Sequence, residues 1–222
     1  MTMKKQILSA LCLAATCTAF AEEPSPWSFR LGATQITPHV QSGNLTAPSF
    51  PGTKADIGAN TQLSGGVNYK LDERWAIDVP LALPFEHALY GAGAIQGVGQ
   101  LGTVKALPVT VLLQYQLSPE NATIKPYVGV GLTYAKFYGE TGTAVLTSIT
   151  GGTPSNPTTP RIESRWAPSF QVGARFTLTE IWHLDVTYVR TYFDTQNKLS
   201  TGQTLDATIN PSAISFGLGR SF

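Results

Sequence analysis

Charged side chains are scarce in this sequence of 222 residues. They make up 13% of it, about half of what a soluble globular domain contains. The 15 basic and 14 acidic residues nearly balance, so there is none of the basic excess that nucleic-acid-binding proteins show, and we expect no nucleic-acid partner. Hydrophobic residues total 42%, but they are spread over short pieces. A membrane protein built from helices would instead need long apolar runs, and this class is excluded.

The first 21 residues are typical of an export signal. A pair of lysines precedes an apolar stretch at 7–18 that is too short to span a bilayer as a helix, and an A-x-A cleavage site follows at 19–21. The sequence therefore predicts a signal peptide at 1–21 and a single exported domain at 22–222.

Residues that support catalysis or metal binding are also few. Both cysteines, Cys12 and Cys17, lie in the predicted signal, so the exported chain is expected to have no disulfide and no thiolate metal site. The three histidines are not spaced as a metal site, and neither a G-x-S-x-G elbow nor a phosphate-binding loop occurs. We expect no enzymatic activity, no metal and no cofactor.

Alternation of bulky apolar residues with small or polar ones, at a period of two, dominates the exported chain and predicts β-strands. Eight segments show it, at 27–32, 62–71, 75–85, 107–117, 126–135, 169–178, 182–188 and 214–219. A strand of about ten residues crosses a bilayer when it is tilted. No segment has a helical period.

The connections between these segments alternate in length. Short turns lie at 72–74, 118–121 and 179–180, whereas long connections lie at 41–58, 88–102, 139–163 and 195–206. Outer-membrane barrels have this asymmetry, with short periplasmic turns and longer extracellular loops. The sequence thus predicts an all-β fold, an eight-stranded antiparallel up-and-down transmembrane β-barrel.

The bulky face of each predicted strand is almost free of charge, and we assign it to lipid, since a lysine or arginine at the bilayer midplane costs about 2–4 kcal/mol. Aromatic residues near the short turns form a predicted girdle: Trp27, Tyr69, Trp75, Tyr115, Trp182 and Phe222. The terminal alternation ending in Phe222 is typical of outer-membrane barrels. We expect the C-terminal strand to be recognised by the barrel assembly machinery, and the protein to lie among outer-membrane lipids of a Gram-negative bacterium.

Two sequence blocks resemble a known family. KALPVTVLLQYQ at 105–116 and KPYVGVGLTY at 125–134, with the terminal Phe222, are similar to the OmpW family of small outer-membrane barrels. The resemblance implies a narrow, largely apolar interior and a role in passive uptake of small hydrophobic compounds. The sequence leaves an alternative open, namely a structural or surface-interaction protein without transport.

Alternation also predicts what lines the lumen. Charged residues of both signs on the inward face are interpreted as a plug: Arg30, Lys70, Asp78, Arg175 and Asp185, with Glu86 and Lys125 also facing inward. Toward the extracellular end the predicted inward residues are mostly apolar: Ile36, Pro80, Ala82, Pro84, Thr133, Ala135 and Val189. An apolar cavity above a charged floor would admit a small hydrophobic ligand or a detergent, which would then leave sideways into lipid, where prolines interrupt the strands.

The family resemblance also implies an apolar constriction formed by two positions, which here are Pro80 and Trp166. Trp166 shares its alternation with lipid-facing Phe170, so it reaches the lumen only if a bulge near Pro168 reverses the pattern. Our hypothesis is that Trp166 narrows the cavity.

Overall fold

A computed structural model describes residues 25–222, and the predicted signal peptide at 1–21 lies outside this range. Residues 25–222 form fourteen strands and one short helix, α1 (Ala144–Ile149). The strands are β1 (Trp27–Thr37), β2 (Gln41–Ser42), β3 (Thr53–Ile57), β4 (Asn60–Lys70), β5 (Trp75–Ala82), β6 (Phe85–Gly93), β7 (Gln100–Gln116), β8 (Ile124–Gly142), β9 (Pro160–Ile162), β10 (Arg165–Thr177), β11 (Trp182–Thr191), β12 (Asp194–Leu199), β13 (Thr204–Thr208) and β14 (Ser212–Ser221).

Eight of these strands close into a barrel. Their order around the wall is β1, β4, β5, β7, β8, β10, β11 and β14, every neighbouring pair is antiparallel, and β14 pairs with β1 to complete the ring. Closure pairs the first strand with the last, so the sheet has no terminal strand with a free edge in hydrocarbon, as a membrane-spanning sheet requires. The predicted eight-stranded antiparallel barrel is confirmed.

Side-chain acceptors stabilise two of the short turns. The Asp72 carboxylate accepts hydrogen bonds from the backbone N–H of Arg74 at 2.7 Å and of Trp75 at 2.8 Å. These bonds favour the ionised form and lower the pKa of Asp72. The Thr179 hydroxyl accepts similarly from the N–H of Trp182 at 3.0 Å. Asp and Thr are favoured in turns because their side chains bond nearby backbone groups in this way.

The long connections contain more regular structure than the sequence predicts. Strands β3 and β6 extend the wall beyond β4 and β5, and a separate four-stranded sheet joins β2, β13, β12 and β9. Helix α1 lies in the third connection, where no helical period predicts it, because six residues are too few to show one. Within residues 25–222, no helix is long and apolar enough to cross a membrane.

The bulky rows face outward, as predicted. Leu132 is 57% exposed and Phe216 60% exposed, which in a bilayer means contact with acyl chains. The aromatic girdle near the short turns is confirmed. The rings of Trp27 and Tyr69 are in edge-to-face contact, and so are those of Trp75 and Tyr115. Such pairs contribute roughly 0.5–1.5 kcal/mol beyond the area they bury.

The alternation reverses between β5 and β6, which corrects the sequence interpretation. Leu83 faces outward, and the two-residue break at 83–84 turns Phe85 into the barrel, where it is 1% exposed. Glu86 consequently lies on the outer face and not inside as predicted. A break of even one residue moves every following side chain to the opposite face, since the side-chain period of a strand is two.

Candidate functional site

The extracellular half of the barrel encloses an apolar cavity of about 120 Å³. Six of the seven residues predicted to line this region do so, and Pro84 does not. The six are Ile36, Pro80, Ala82, Thr133, Ala135 and Val189. The cavity is of the order of the engineered 150 Å³ cavity that holds benzene in a dry interior.

Aromatic side chains that the strand alternation does not predict there also line the cavity. Phe85, Phe137 and Phe193 all contribute, and the ring centroids of Phe137 and Phe193 are 6.2 Å apart. Phe85 was assigned to lipid because the apolar row runs past the break at 83–84 without a change in composition. Pro84 within that row is the sequence feature that indicates the break between β5 and β6, because proline in a strand marks a bulge or a break.

Hydroxyl groups on the cavity wall bond to one another. Thr133 contacts Thr110 at 2.8 Å and Ser169 at 2.7 Å, and Ser169 contacts Thr191 at 2.8 Å, which makes a chain across β7, β8, β10 and β11. The Thr34 hydroxyl bonds those of Ser64 on β4 and Ser215 on β14 in the same manner. Each hydroxyl therefore has a partner within the wall, and the wall can contact an apolar molecule without leaving a buried polar group unsatisfied.

A buried ion pair forms the floor of the cavity. The Arg30 guanidinium donates to both carboxylate oxygens of Asp78, at 2.5 and 2.9 Å, and Asp78 is fully buried. Gln171 donates to the same carboxylate at 3.1 Å and accepts from Gln114, which in turn accepts from Asn68. A bidentate pair with a further donor is the geometry in which a buried charge pair is best compensated.

A second cluster crosses the lumen beside this pair. The Tyr127 hydroxyl lies 3.0 Å from an Asp185 carboxylate oxygen and 2.6 Å from the Thr187 hydroxyl. Gly173 makes room for the ring, since a Cβ there would lie 2.4 Å from it. Arg175 Nε is 3.9 Å from the other Asp185 oxygen. Polar side chains from most of the wall thus fill the lumen at this level.

The five residues predicted as a plug therefore separate into two groups. Arg30 and Asp78 meet at the floor, and Arg175 lies near Asp185 in the same layer. Lys70 does not join them. It lies at the periplasmic mouth, where its ammonium group bonds the carboxylate of Glu120. Lys70 is the last residue of β4, and its flexible side chain reaches the turn that joins β7 to β8.

The mouth pair gives a measurable pH effect. The hydrogen bond and charge of Lys70 lower the pKa of Glu120, with a smaller contribution from Lys125. The pair therefore stabilises the fold above the ordinary pKa of glutamate, and this stabilisation is lost as the pH falls through the lowered value. We expect Lys70→Gln to raise the pKa of Glu120 toward its ordinary value in a carboxyl NMR titration. Lys54→Gln is the control, and equal Glu120 titrations in wild type and Lys70→Gln would contradict the pairing.

The structure places Pro80 at the cavity and corrects the predicted position of Trp166. Pro80 lines the cavity. The hypothesis that Trp166 narrows the cavity is wrong, because Trp166 is 68% exposed on the outer face, with its ring 5.0 Å from that of Tyr134. The pairing of β10 with β8 continues through Pro168 without a shift in register, so no bulge reverses the alternation.

One side of the barrel wall has a gap in its hydrogen-bonded ladder beside the cavity. The β5–β7 ladder ends at Asp78 opposite Leu112, and the β6–β7 ladder begins at Phe85 opposite Ala106. Among residues 25–222, segments 79–84 and 107–111 form no ladder with each other. Prolines at 80, 84 and 108 have no N–H to donate across this gap. Leu81 is 54% exposed on the outer face and also lines the cavity, so the gap in the ladder lies between the cavity and the lipid side.

The small closed barrel has counterparts among known proteins. The profile of the OmpW family matches residues 26–222. The chain belongs to the OmpW family. Its predicted location is thereby confirmed as well, because proteins of this family lie in the outer membrane of Gram-negative bacteria.

The relatives cover nearly the whole chain. Outer membrane protein W of Vibrio cholerae serotype O1 is 27% identical over 227 residues, which is 99% of this chain and all of the relative. Dibenzothiophene metabolism operon protein PahQ of Pseudomonas aeruginosa is 27% identical over 95% of this chain and 94% of its own. The crystal structure of OprG from Pseudomonas aeruginosa has the same fold, with a TM-score of 0.79 at 23% identity over 92% of this chain and 99% of OprG.

The part of the chain that the structure describes contains no candidate metal-binding site. Within residues 25–222, no three His, Cys, Asp or Glu side chains are grouped so that they would hold a metal ion. His87 lies against the cavity, and its ring bonds the backbone carbonyl of Gly58 at 2.7 Å. Ser169 is bonded to two threonines of the wall, Thr133 and Thr191.

Proposed function

We propose that this OmpW-family barrel mediates passive uptake of small hydrophobic molecules, which enter the upper cavity and leave sideways into the outer membrane. One observation supports this most strongly. The apolar cavity has a polar floor beneath it and a gap in the β5–β7 ladder beside it. A molecule that resists hydration would have to enter a layer of buried charges to continue downward, whereas the gap between β5 and β7 leads directly to acyl chains.

The extracellular part of the barrel provides an apolar approach to the cavity. Val104 belongs both to the cavity lining and to a buried apolar cluster above it, which also contains Leu89, Ile95, Leu101, Leu146, Ile162 and Leu199. Ile57 and Phe137 line the cavity and pack against the same cluster. A hydrophobic molecule that moves between the side chains of this cluster would remain in apolar surroundings until it reaches the cavity.

The name of one relative agrees with this substrate class. PahQ is named as a protein of a dibenzothiophene metabolism operon. Dibenzothiophene is a flat aromatic compound without a hydrogen-bond donor. The polarity of such a compound matches a wall whose hydroxyls are already bonded to one another and whose other lining groups are largely aliphatic and aromatic carbons.

Closing the gap covalently tests the lateral route. Continuing the β5–β7 register would bring Leu81 opposite Val109. The chain beyond Cys17 contains no cysteine, so an introduced pair has no other thiol there to bond with. We expect the disulfide of Leu81→Cys/Val109→Cys to reduce uptake of a labelled hydrophobic compound by intact cells to the level of cells without the protein. Reduction of the disulfide should restore uptake, since the gap can then open again.

A second cysteine pair serves as the matched control. Ile77 and Leu113 are already paired in the ladder just below the gap, and both face lipid. The disulfide of Ile77→Cys/Leu113→Cys should leave uptake at the wild-type level. Uptake that persists with the Leu81–Val109 disulfide formed, as measured by thiol labelling, would contradict lateral release. Equal uptake by cells with and without the wild-type protein would favour the structural or surface role.

A further inference from the structure

Two lysines lie on the lipid-facing surface where the apolar band of the barrel ends toward the extracellular side. On β7 the outward residues Val111 and Val109 lead up to Lys105, and on β8 the outward row leads up to Lys136. Leu107 is paired with Lys136, and Lys105 is paired with Tyr138. The two lysines are therefore diagonal neighbours on adjacent strands, about 7–8 Å apart at the backbone.

These lysines have little compensation from acidic groups. Lys136 forms no ion pair among residues 25–222, and its ammonium lies 6.0 Å from the centroid of the Tyr138 ring. Lys105 has Glu86 as its nearest carboxylate, at 4.0 Å, with both side chains about half exposed. A pair at that distance and exposure is weak. The surface around Lys105 and Lys136 thus has a net positive charge.

Aromatic side chains place this surface at the membrane boundary. Tyr134 and Trp166 are in contact just below Lys136 on the same outer face. Tyrosine and tryptophan concentrate where headgroups meet acyl chains. The lysine ammonium groups therefore lie at the height of the lipid headgroups of the outer leaflet.

The same surface borders the gap in the wall. Lys105 is paired with Glu86, one position above the Phe85–Ala106 pair at which the ladder resumes. A lipid whose headgroup is held by Lys105 and Lys136 would extend its acyl chains downward along the outer face, next to Leu81 and Val109. Its chains would then cover the opening between β5 and β7.

We propose that Lys105 and Lys136 form a binding site for the phosphate groups of a phosphorylated lipid of the outer leaflet. Two ammonium groups supply up to six donors, and their flexible stems let them approach a phosphate as point charges. The site rests on the charge and position of these side chains and does not require that the barrel transports any compound.

Native mass spectrometry of the purified, folded full-length exported chain tests the site with lipid A that has two phosphate groups. We expect Lys105→Gln/Lys136→Gln to weaken lipid A binding about tenfold or more, on the scale known for lysines at an anionic membrane surface. Lys54→Gln/Lys198→Gln loses the same two charges from exposed positions on β3 and β12 and should bind lipid A as the wild type does. Lipid A without phosphate should bind wild type as weakly as phosphorylated lipid A binds the double variant.

Four results would overturn the proposal. Equal binding by wild type and Lys105→Gln/Lys136→Gln would remove the two lysines from the site. An equal loss in Lys54→Gln/Lys198→Gln would indicate a response to net charge alone, and equal binding of the lipid without phosphate would indicate contact with acyl chains alone. Competition by millimolar inorganic phosphate that abolishes lipid A binding would also contradict a site specific for lipid. Unchanged thermal unfolding of both double variants verifies that they fold.

Discussion

Asp78→Ala is expected to lower the free energy of unfolding of the barrel by about 3–5 kcal/mol, the scale on which removing one partner of a buried ion pair destabilises a protein. Asp78 is fully buried and accepts from Arg30 at 2.5 and 2.9 Å and from Gln171 at 3.1 Å. Without the carboxylate, the guanidinium would be left in a narrow lumen with its nearest counter-charge gone. The cost is that of an uncompensated charge, not of a lost contact.

Urea unfolding of the protein in lipid vesicles, followed by tryptophan fluorescence, measures this loss. The control is Arg30→Leu/Asp78→Leu, which removes both charges and should recover most of the stability, because replacing both partners by apolar groups is often nearly neutral. Asp206→Ala removes an exposed carboxylate from β13 and should change stability little. If Asp78→Ala and the double variant were equally unstable, the loss would come from packing and not from the unpaired charge.

The fold could be predicted from the sequence because one physical rule acts along the whole wall. A strand between lipid and a narrow lumen must alternate, so Val109, Val111 and Leu113 face outward while Thr110 and Leu112 face inward. The connections follow no such rule. Strands β12 and β13 lie above the membrane in water, where polar residues are tolerated on the outer face, and their sequences read as loop.

The site could be predicted only as far as the alternation continues unbroken. Inward residues of β5 such as Pro80 were placed correctly, whereas Phe85 and Glu86 were exchanged because the break at 83–84 shifts the phase by one residue. Trp166 was misplaced by the opposite error, since the expected bulge near Pro168 does not occur. Proline signals that a ladder hydrogen bond is missing, but it does not specify whether the register shifts, and neighbouring strands decide that.

Ala135→Phe is expected to abolish both ligand occupancy and uptake. Ala135 is nearly buried, lines the cavity and lies on the continuous strand β8, so an enlarged side chain there points into the lumen. A cavity of about 150 Å³ holds one benzene molecule, and a phenyl ring would thus occupy most of the 120 Å³ available here. Because the gap in the β5–β7 ladder lies beside this same cavity, a ring that fills the cavity should block the proposed path before the lateral step.

Displacement of a hydrophobic dye from the purified barrel measures occupancy, and uptake of a labelled aromatic compound by cells measures passage. We expect both signals to fall to the level obtained without the protein. Leu132→Phe, three residues earlier on the same strand, adds the same ring on the lipid face and should leave both signals unchanged. Thermal unfolding distinguishes a filled cavity from a misfolded barrel, since overpacking costs about 1–3 kcal/mol and leaves a stable barrel folded. Wild-type uptake through a folded Ala135→Phe barrel would mean that molecules cross by a route other than the cavity.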